Sequence, residues 1–94
     1  MIDFIFLGDS LTFGYGVKPK DNWVHKLSEY LKLNILNKGV NGNTTTDMLF
    51  RFYEDVVSNS PKSLFIMGGT NDLLSNRPVS KIIENMEVMI KEAF

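Results

Sequence analysis

Three short apolar runs, each followed at once by a loop of small polar residues, constrain the fold of this chain more than any other feature. The runs cover residues 2–7, 33–36 and 63–67, and amphipathic segments separate them. A nearly continuous apolar run of this length is typical of a strand that is covered on both faces, as in a parallel sheet. Strand–helix–strand units of this length imply parallel strands joined by right-handed crossovers. The sequence therefore predicts the order βαβαβα and an α/β fold.

The segments between and after the runs carry apolar residues at helical spacing. Asp21 is predicted to cap the first helix, and Thr44 with Asp47 forms a capping-box pattern at the start of the second. A loop over residues 70–78 is predicted before the third helix, which is expected to run to Phe94 without a terminating cap. The predicted buried stripes of the three helices are Trp23, Val24, Leu27, Tyr30 and Leu31; Met48, Leu49, Phe52, Tyr53 and Val56; and Val79, Ile82, Ile83, Met86, Met89, Ile90 and Ala93.

Composition and charge exclude several classes of function. The chain has 94 residues, a formal net charge of −1 and no cysteine. A nucleic-acid partner would need a clustered basic face, which the sequence lacks, and disulfides and thiolate metal sites are excluded. No apolar stretch approaches the roughly 20 residues that span a bilayer. Residues 1–7 lack the basic and small residues of a secretory signal, so the sequence predicts a cytoplasmic location.

The loops that follow the three predicted strands are rich in glycine, asparagine and serine. They cover residues 8–11, 37–44 and 68–72. Parallel α/β sheets bind ligands beyond the carboxyl ends of their strands. We therefore expect the three loops to meet at one edge of the sheet and to form a site there.

Ser10 is the candidate nucleophile of this site, because it follows an apolar strand at the point where the chain must turn. A hydroxyl is a poor nucleophile until a base takes its proton. The oxyanion that forms on attack then needs preorganised donors, each worth about 3–4 kcal/mol. The candidate donors are the N–H groups of Ser10 and Gly42 and the side-chain amide of Asn71, while Asp9 is expected to bond locally and fix the turn.

Each of these residues, taken alone, also has an ordinary structural role. A serine after a strand is usually a turn residue or a helix cap. Asn41-Gly42 is a common turn pair, and Asn71-Asp72 can bond its own backbone. The prediction of a site therefore depends on the three loops together.

Taken in order, the three loops resemble the blocks of the SGNH/GDSL hydrolase family. The blocks stand here as residues 6–14, 37–44 and 68–72, and the resemblance covers most of the chain, including the strand before each block and the helix after it. One block alone arises by chance. Three blocks in order, each at the end of a predicted strand, are a specific signal.

The resemblance implies a flavodoxin-like, three-layer α/β/α fold, of which this chain holds the first three β-α units. It implies cleavage of carboxylic (acyl) esters through an acyl-enzyme on Ser10, with an oxyanion hole formed by the Ser10 N–H, the Gly42 N–H and the Asn71 side chain. The substrate would be a small-molecule acyl ester, and no metal or organic cofactor is expected. The residues predicted to contact the substrate are Asp9, Leu11, Asn41 and Thr70.

The sequence departs from the family in its general base. The family carries a fourth block, Asp-x-x-His, near its C-terminus, and nothing here matches it. The only histidine, His25, has Asn22 where the aspartate should stand, and we expect it to be an exposed helix residue. Residues 1–94 are therefore interpreted as the N-terminal part of a single hydrolase domain, with the half that carries Asp-x-x-His absent. Loss of the histidine in a comparable serine hydrolase costs on the order of 10⁶ in kcat, so this chain is expected to be a very poor enzyme.

Two alternative functions and two open structural points accompany this interpretation. The same loops would suit a catalytically silent α/β module for binding or interaction. Nucleotide binding is disfavoured, since neither G-x-G-x-x-G nor a phosphate-binding lysine motif follows the first strand. The third strand is predicted to be an unpaired apolar edge that favours self-association. The aromatic and apolar residues near Ser10 would line a site for short acyl chains or belong to the core; they are Leu11, Phe13, Tyr15 and Trp23.

Overall fold

A three-stranded parallel sheet forms the centre of the molecule in the computed structural model, which describes residues 1–93. Its strands are β1 (Phe4–Gly8), β2 (Ile35–Gly39) and β3 (Ser63–Met67), in the spatial order β2-β1-β3. The pairing aligns Gly8 with Gly39 on one side and with Met67 on the other, so that all three strands end at the same level. The predicted α/β fold with parallel strands is confirmed.

Helices connect the strands and follow the last one. The helices of residues 1–93 are α1 (Ser10–Phe13), α2 (Trp23–Leu31), α3 (Thr45–Phe50), α4 (Phe52–Asp55), α5 (Thr70–Leu74) and α6 (Val79–Ala93), with single 3₁₀ turns at Pro19–Asp21 and Val57–Asn59. None of them combines the length and the apolar character that a membrane crossing requires. The predicted continuation of the last helix to Phe94 lies outside the described residues.

Alternate side chains of β1 point to opposite faces of the sheet, and each face is covered by helices. Ile5 and Leu7 are fully buried on the face covered by α3, α4 and α6. Phe6 lies on the other face, where its ring centroid is 5.5 Å from that of Trp23 and 4.6 Å from that of Phe65. The fold is therefore three-layered, with one core on each side of the sheet. The main core consists of Ile5, Leu7, Met48, Phe52, Val56 and Met89.

The predicted capping box at the start of α3 is present. The Thr44 hydroxyl accepts a hydrogen bond from the Asp47 N–H at 3.2 Å, and the Asp47 carboxylate accepts one from the Thr44 N–H at 3.0 Å. The bond from the Thr44 backbone holds the pKa of Asp47 below its ordinary value, because it stabilises the ionised carboxylate. The predicted cap of α2 is wrong by one residue. The side chain of Asn22, and not that of Asp21, accepts the Val24 N–H at 2.7 Å, because Asp21 is the last residue of the preceding 3₁₀ turn and α2 begins at Trp23.

Several other boundaries differ from the sequence prediction. The predicted loops over residues 8–11 and 70–78 include the start of α1 and the whole of α5, one-turn helices that are too short to show a periodicity. Strand β2 lies later than residues 33–36, because the polar pair Asn37 and Lys38 continues the pairing with β1.

The predicted buried stripes of the helices include residues that the structure leaves exposed. Tyr30 and Tyr53 are mostly exposed, at 85% and 64%. The three-stranded sheet buries only Val24 fully along α2. The helix that was expected to carry Tyr53 in one stripe is interrupted at Arg51. On α6, the residues of the predicted stripe that remain half or more exposed are Val79, Ile83 and Ile90.

Candidate active site

The three predicted site loops meet at the carboxyl edge of the sheet, where hydrogen bonds join them. The Val40 N–H donates to the Gly8 carbonyl at 3.1 Å, which joins the second loop to the first. The Asn71 side-chain amide donates to the Asn43 carbonyl at 2.9 Å, which joins the third loop to the second. Segments far apart in the sequence therefore form one continuous rim.

Ser10 begins the one-turn helix α1, and Asp9 caps it. The Asp9 side chain is buried, with 1% of its surface exposed, and accepts the Leu11 N–H at 3.0 Å. The first turn of a helix leaves its leading N–H groups without intrahelical partners. The cap takes the Leu11 N–H, and the Ser10 N–H makes no hydrogen bond within the described residues. The structure thus gives Asp9 the turn-fixing role expected for it.

Two glycines let α1 lie directly on the ends of the strands. A Cβ atom at Gly39 would stand 2.2 Å from the Phe13 nitrogen, and one at Gly8 would stand 2.2 Å from the Thr12 hydroxyl. Real Cβ atoms do not approach so closely, so a side chain at either position would displace the helix. Asn37 adds a direct bond, from its amide to the Thr12 carbonyl at 2.8 Å. The position of Ser10 is therefore set by close backbone packing.

The start of α2 supports α1 from the side. The Trp23 indole N–H donates to the Leu11 carbonyl at 2.8 Å, and the Asn22 amide donates to the Phe13 carbonyl. Asn22 thus caps α2 with its oxygen and closes the end of α1 with its nitrogen. These bonds satisfy carbonyls that a one-turn helix leaves open.

Gly42 lies in a tight turn of the second loop. The Asn43 N–H donates to the Val40 carbonyl at 3.2 Å, and Gly42 has a φ of +79°, as the third residue of a type II turn requires. A Cβ at this position would meet nothing within 4 Å, so the turn selects glycine for its conformation and not for space. The residue is exposed at the rim.

Asn71 lies in the first turn of α5, which begins after Gly69 with a φ of +119°. A side-chain amide has two N–H bonds. One of them donates to the Asn43 carbonyl, and the other makes no hydrogen bond within the described residues. Asn71 can therefore be held in place and donate to a ligand at the same time.

A buried polar cluster lies directly behind Asn71. Asp72 is fully buried and accepts the Thr45 N–H at 2.8 Å and the Thr45 hydroxyl at 2.6 Å. Asn85 of α6 is also buried and donates to the hydroxyls of Thr45 and Thr46, both at 3.0 Å. This cluster fixes the start of α3 against α5 and α6. Sequence reasoning did not single it out, although Asp72 stands next to the predicted Asn71.

Arg51 is a second group that sequence reasoning missed. It interrupts the helical segment between α3 and α4, and its guanidinium donates to the Gly8 carbonyl and to the Asn43 side chain, both at the rim. The sequence shows Arg51 only as a charged residue of the predicted helix that lies outside its apolar stripe, which is no signal of a role at the rim.

The remaining predicted substrate contacts stand on the exposed side of the rim. Leu11 is 58% exposed, and Asn41 and Thr70 are exposed as well, so these three are free to contact a substrate. Asp9 is not, since its carboxylate is buried in the cap. Phe13 and Tyr15 are 50% and 74% exposed and lie outside the core, whereas Trp23, although 40% exposed, packs against Phe6.

His25 lies on α2, where its imidazole is 2.9 Å from the carboxylate of Glu29, one helical turn later. It borders a cavity of about 360 Å³ beside β2, and a second cavity of about 490 Å³ lies between β3 and the end of α6. Ser10 lines neither of them, so neither is a substrate pocket for that residue. In the part of the chain that the structure describes, no three His, Asp or Glu side chains are grouped to hold a metal ion.

Comparison with known proteins defines the class to which this fold and site belong. The model of the GDSL-like Lipase/Acylhydrolase family matches residues 6–93. The chain therefore belongs to this family, as the three sequence blocks predicted.

Two curated relatives give the sequence similarity. The chain is 43% identical to the uncharacterized lipoprotein YqeF of Bacillus subtilis over 104 aligned positions, which cover 97% of this chain and 43% of that protein. It is 30% identical to an arylesterase of Vibrio mimicus over 91 positions, which cover 92% of this chain and 46% of that protein. The chain thus spans less than half the length of these relatives.

Solved structures show the same fold. A lipolytic protein of the G-D-S-L family from Desulfitobacterium hafniense has a TM-score of 0.92 and 27% identity, over 99% of this chain and 53% of that one. The SGNH-hydrolase family esterase AlinE4 has a TM-score of 0.86 and 30% identity, over 98% of this chain and 53% of that one. The flavodoxin-like, three-layer arrangement predicted from the sequence is confirmed by these likenesses.

Proposed function

We propose that this chain carries the nucleophile and the oxyanion hole of a serine ester hydrolase. The observation that carries the proposal is the pair of hydrogen bonds, Val40 to Gly8 and Asn71 to Asn43, that joins the three loops around Ser10. Family membership supports ester hydrolysis in general, and both the arylesterase of Vibrio mimicus and AlinE4 are named as esterases.

The proposed reaction begins when the Ser10 oxygen attacks the carbonyl carbon of the ester while a base takes the hydroxyl proton. The negative charge that forms on the carbonyl oxygen is stabilised by the Ser10 N–H, the Gly42 N–H and the free N–H of the Asn71 amide. Collapse of this intermediate expels the alcohol, which takes up the proton, and leaves the acyl group on Ser10. Attack of water on the acyl-enzyme then releases the acid. The steps need no cofactor.

A specific observation keeps a second candidate function open. His25 is paired with Glu29 on α2, and no residue of the chain matches the family's histidine base. A module that binds small ligands at the same rim without turnover would have the same structure. It would have no reason to make Ser10 more reactive than other serines.

Acylation of Ser10 by p-nitrophenyl acetate tests the proposal. The p-nitrophenyl ester is activated by its leaving group, whereas an acetyl-serine is an ordinary alkyl ester that water cleaves slowly without a base, so the acetyl group is expected to accumulate on Ser10 and to be found there by peptide mass mapping. Ser10→Ala should lose this adduct, whereas Ser80→Ala, which changes an exposed serine at the start of α6, should keep it. Acetylation confined to lysines, with none on Ser10, would favour the silent binding module.

The unpaired edge of β3 is proposed as a surface for self-association. β3 bonds only to β1 within the described sheet, and its side chains from Leu64 to Met67 are half-buried. Open, apolar edges of this kind pair with other chains. Sedimentation velocity of the purified chain over a range of concentrations is expected to show oligomers. A monodisperse monomer at high concentration would contradict the proposal.

Two finer points stay predictions from the sequence. The exposed Leu11 at the rim is compatible with a small acyl group beside Ser10, and short acyl chains are the proposed substrates. The proposed location is the cytoplasm.

A further inference from the structure

The side chain of Arg51 is placed where it can act on the whole oxyanion hole. Arg51 stands between α3 and α4 with φ of −100° and ψ of 7°, so the helix is interrupted there and restarts. Its side chain is only 18% exposed and reaches back to the carboxyl edge of the sheet. A cation buried to this extent must have partners, and those partners define its role.

The guanidinium bonds the ends of two strands and one site loop. Nη2 donates to the Gly8 carbonyl at 2.9 Å, Nη1 donates to the Lys38 carbonyl at 2.9 Å, and Nε donates to the Asn43 side-chain oxygen at 2.7 Å. The carboxylate of Asp55, 2.6 Å from Nη1, balances the charge and orients the group. Arg51 therefore joins β1, β2 and the second loop through a single planar fork.

Two of these partners, Gly8 and Asn43, lie near the proposed oxyanion donors, either in sequence or through a hydrogen bond. Gly8 is two residues before Ser10, and Asn43 directly follows Gly42. The Asn43 carbonyl is also the acceptor for the Asn71 amide. One side chain thus contacts the backbone or side-chain neighbours of the first two donors, and it reaches the third donor through Asn43.

We propose that Arg51 is the positioning residue of the oxyanion hole, holding the three donors at the spacing that a tetrahedral oxyanion requires. The inference rests on the proposed function and deepens it. Arginine suits this role because its rigid fork fixes several acceptors at once, which the single ammonium group of lysine does not. Since small misplacements of catalytic groups cost orders of magnitude in rate, the bonds of Arg51 matter for chemistry beyond their effect on folding.

Phenylboronic acid is a probe that needs no catalytic base. Its boron accepts a lone pair of the Ser10 oxygen, a B–O bond forms, and the hydroxyl proton leaves to solvent, which gives a tetrahedral boronate anion. One boronate oxygen then occupies the place of the oxyanion. ¹¹B NMR measures the fraction of tetrahedral boron and hence the Kd, and ¹H–¹⁵N spectra follow the N–H groups of Ser10, Gly42 and Asn71.

The test compares Arg51→Lys and Arg51→Gln with matched changes at Arg77, the other arginine of the chain. The Arg77 side chain donates to the Thr46 hydroxyl, and its backbone N–H, which a substitution keeps, donates to the Asp72 carbonyl. Arg51→Lys is expected to raise the Kd of the boronate about tenfold or more and to shift the three donor N–H signals in the free protein. Arg77→Lys should leave both unchanged. Urea unfolding of every variant gives its folded fraction at the assay conditions.

The outcomes separate this inference from the proposed function. If the unchanged chain forms no tetrahedral boronate, or if Ser10→Ala forms it equally well, the proposed function fails and the inference fails with it. If the boronate forms on Ser10 but folded Arg51→Lys and Arg51→Gln bind it with unchanged Kd, only the role of Arg51 is refuted. A loss of binding that the unfolded fraction accounts for in full would also refute it, since Arg51 would then act on stability alone.

Discussion

Joining this chain to the second half of a GDSL relative that carries the Asp-x-x-His block is expected to raise kcat for p-nitrophenyl acetate by on the order of 10³ to 10⁶. The physical reason is that the three loops that carry the proposed nucleophile and oxyanion donors already meet at one rim, while His25, the only histidine, is paired with Glu29 on α2. A histidine beside Ser10 would take the hydroxyl proton on attack and return it to the leaving alcohol. The added half would also pair with the open edge of β3. Steady-state hydrolysis of p-nitrophenyl acetate and butyrate measures the gain.

Three controls make this result specific. The joined protein with Ser10→Ala should return to the background rate, and so should the joined protein whose appended histidine is changed to alanine. The appended half alone, mixed with buffer, should be inactive. Circular dichroism and unfolding curves establish that each joined protein is folded. Activity that survives Ser10→Ala would contradict the assignment of the nucleophile, and a folded but inactive joined protein would favour the silent binding module.

The sheet could be predicted from the sequence because each of its strands is marked by an apolar run within one short segment. Each apolar run is long enough to mark a strand, and β3 was predicted with its correct bounds. Strand β2 was misplaced because its second half consists of Asn37, Lys38 and Gly39, which carry no apolar signal. These residues are held in the sheet by pairing with β1, a long-range interaction that periodicity does not report.

The short helices escaped prediction for a related reason. A helix of four or five residues, such as α1 or α5, buries too few side chains to produce an amphipathic pattern. What stabilises α1 is a set of specific bonds: the Asp9 cap, the Trp23 indole on the Leu11 carbonyl, and the Asn22 amide on the Phe13 carbonyl. The last two join residues nine or more positions apart. The candidate site residues could be proposed from their motifs, whereas the residues that hold α1 in place could not be identified from the sequence.

The supporting groups share one physical property, which is that their partners are distant in sequence. Arg51 bonds Gly8, 43 residues earlier, and Asp72 bonds Thr45, 27 residues earlier. Neither partner can be deduced from composition or spacing, and both groups connect the site loops to the helices behind them. A buried polar network of this kind rigidifies the site when it is complete, and it is costly when one member is lost.

Asp72→Ala is expected to lower the free energy of unfolding by about 3 kcal/mol, because it leaves two buried donors of Thr45 without an acceptor. Domains of this size are stable by only about 5–15 kcal/mol, so the loss would be a large share of the total. Urea unfolding measures it as a lower midpoint at an unchanged slope. Asp72→Asn keeps one acceptor oxygen and should lose about half as much.

The matched control is Asp21→Ala, which removes an exposed carboxylate from the 3₁₀ turn before α2 and should change stability by less than about 0.5 kcal/mol. Because Asp72 directly follows Asn71, its loss should also shift the Asn71 side-chain amide signal in the folded protein, which Asp21→Ala should not do. Stability of Asp72→Ala within 0.5 kcal/mol of the unchanged chain would show that the Thr45 donors find other acceptors. In that case the cluster of Asp72, Thr45 and Asn85 would not be what fixes Asn71, the proposed oxyanion donor on α5, and the position of Asn71 would depend on its bond to Asn43 alone.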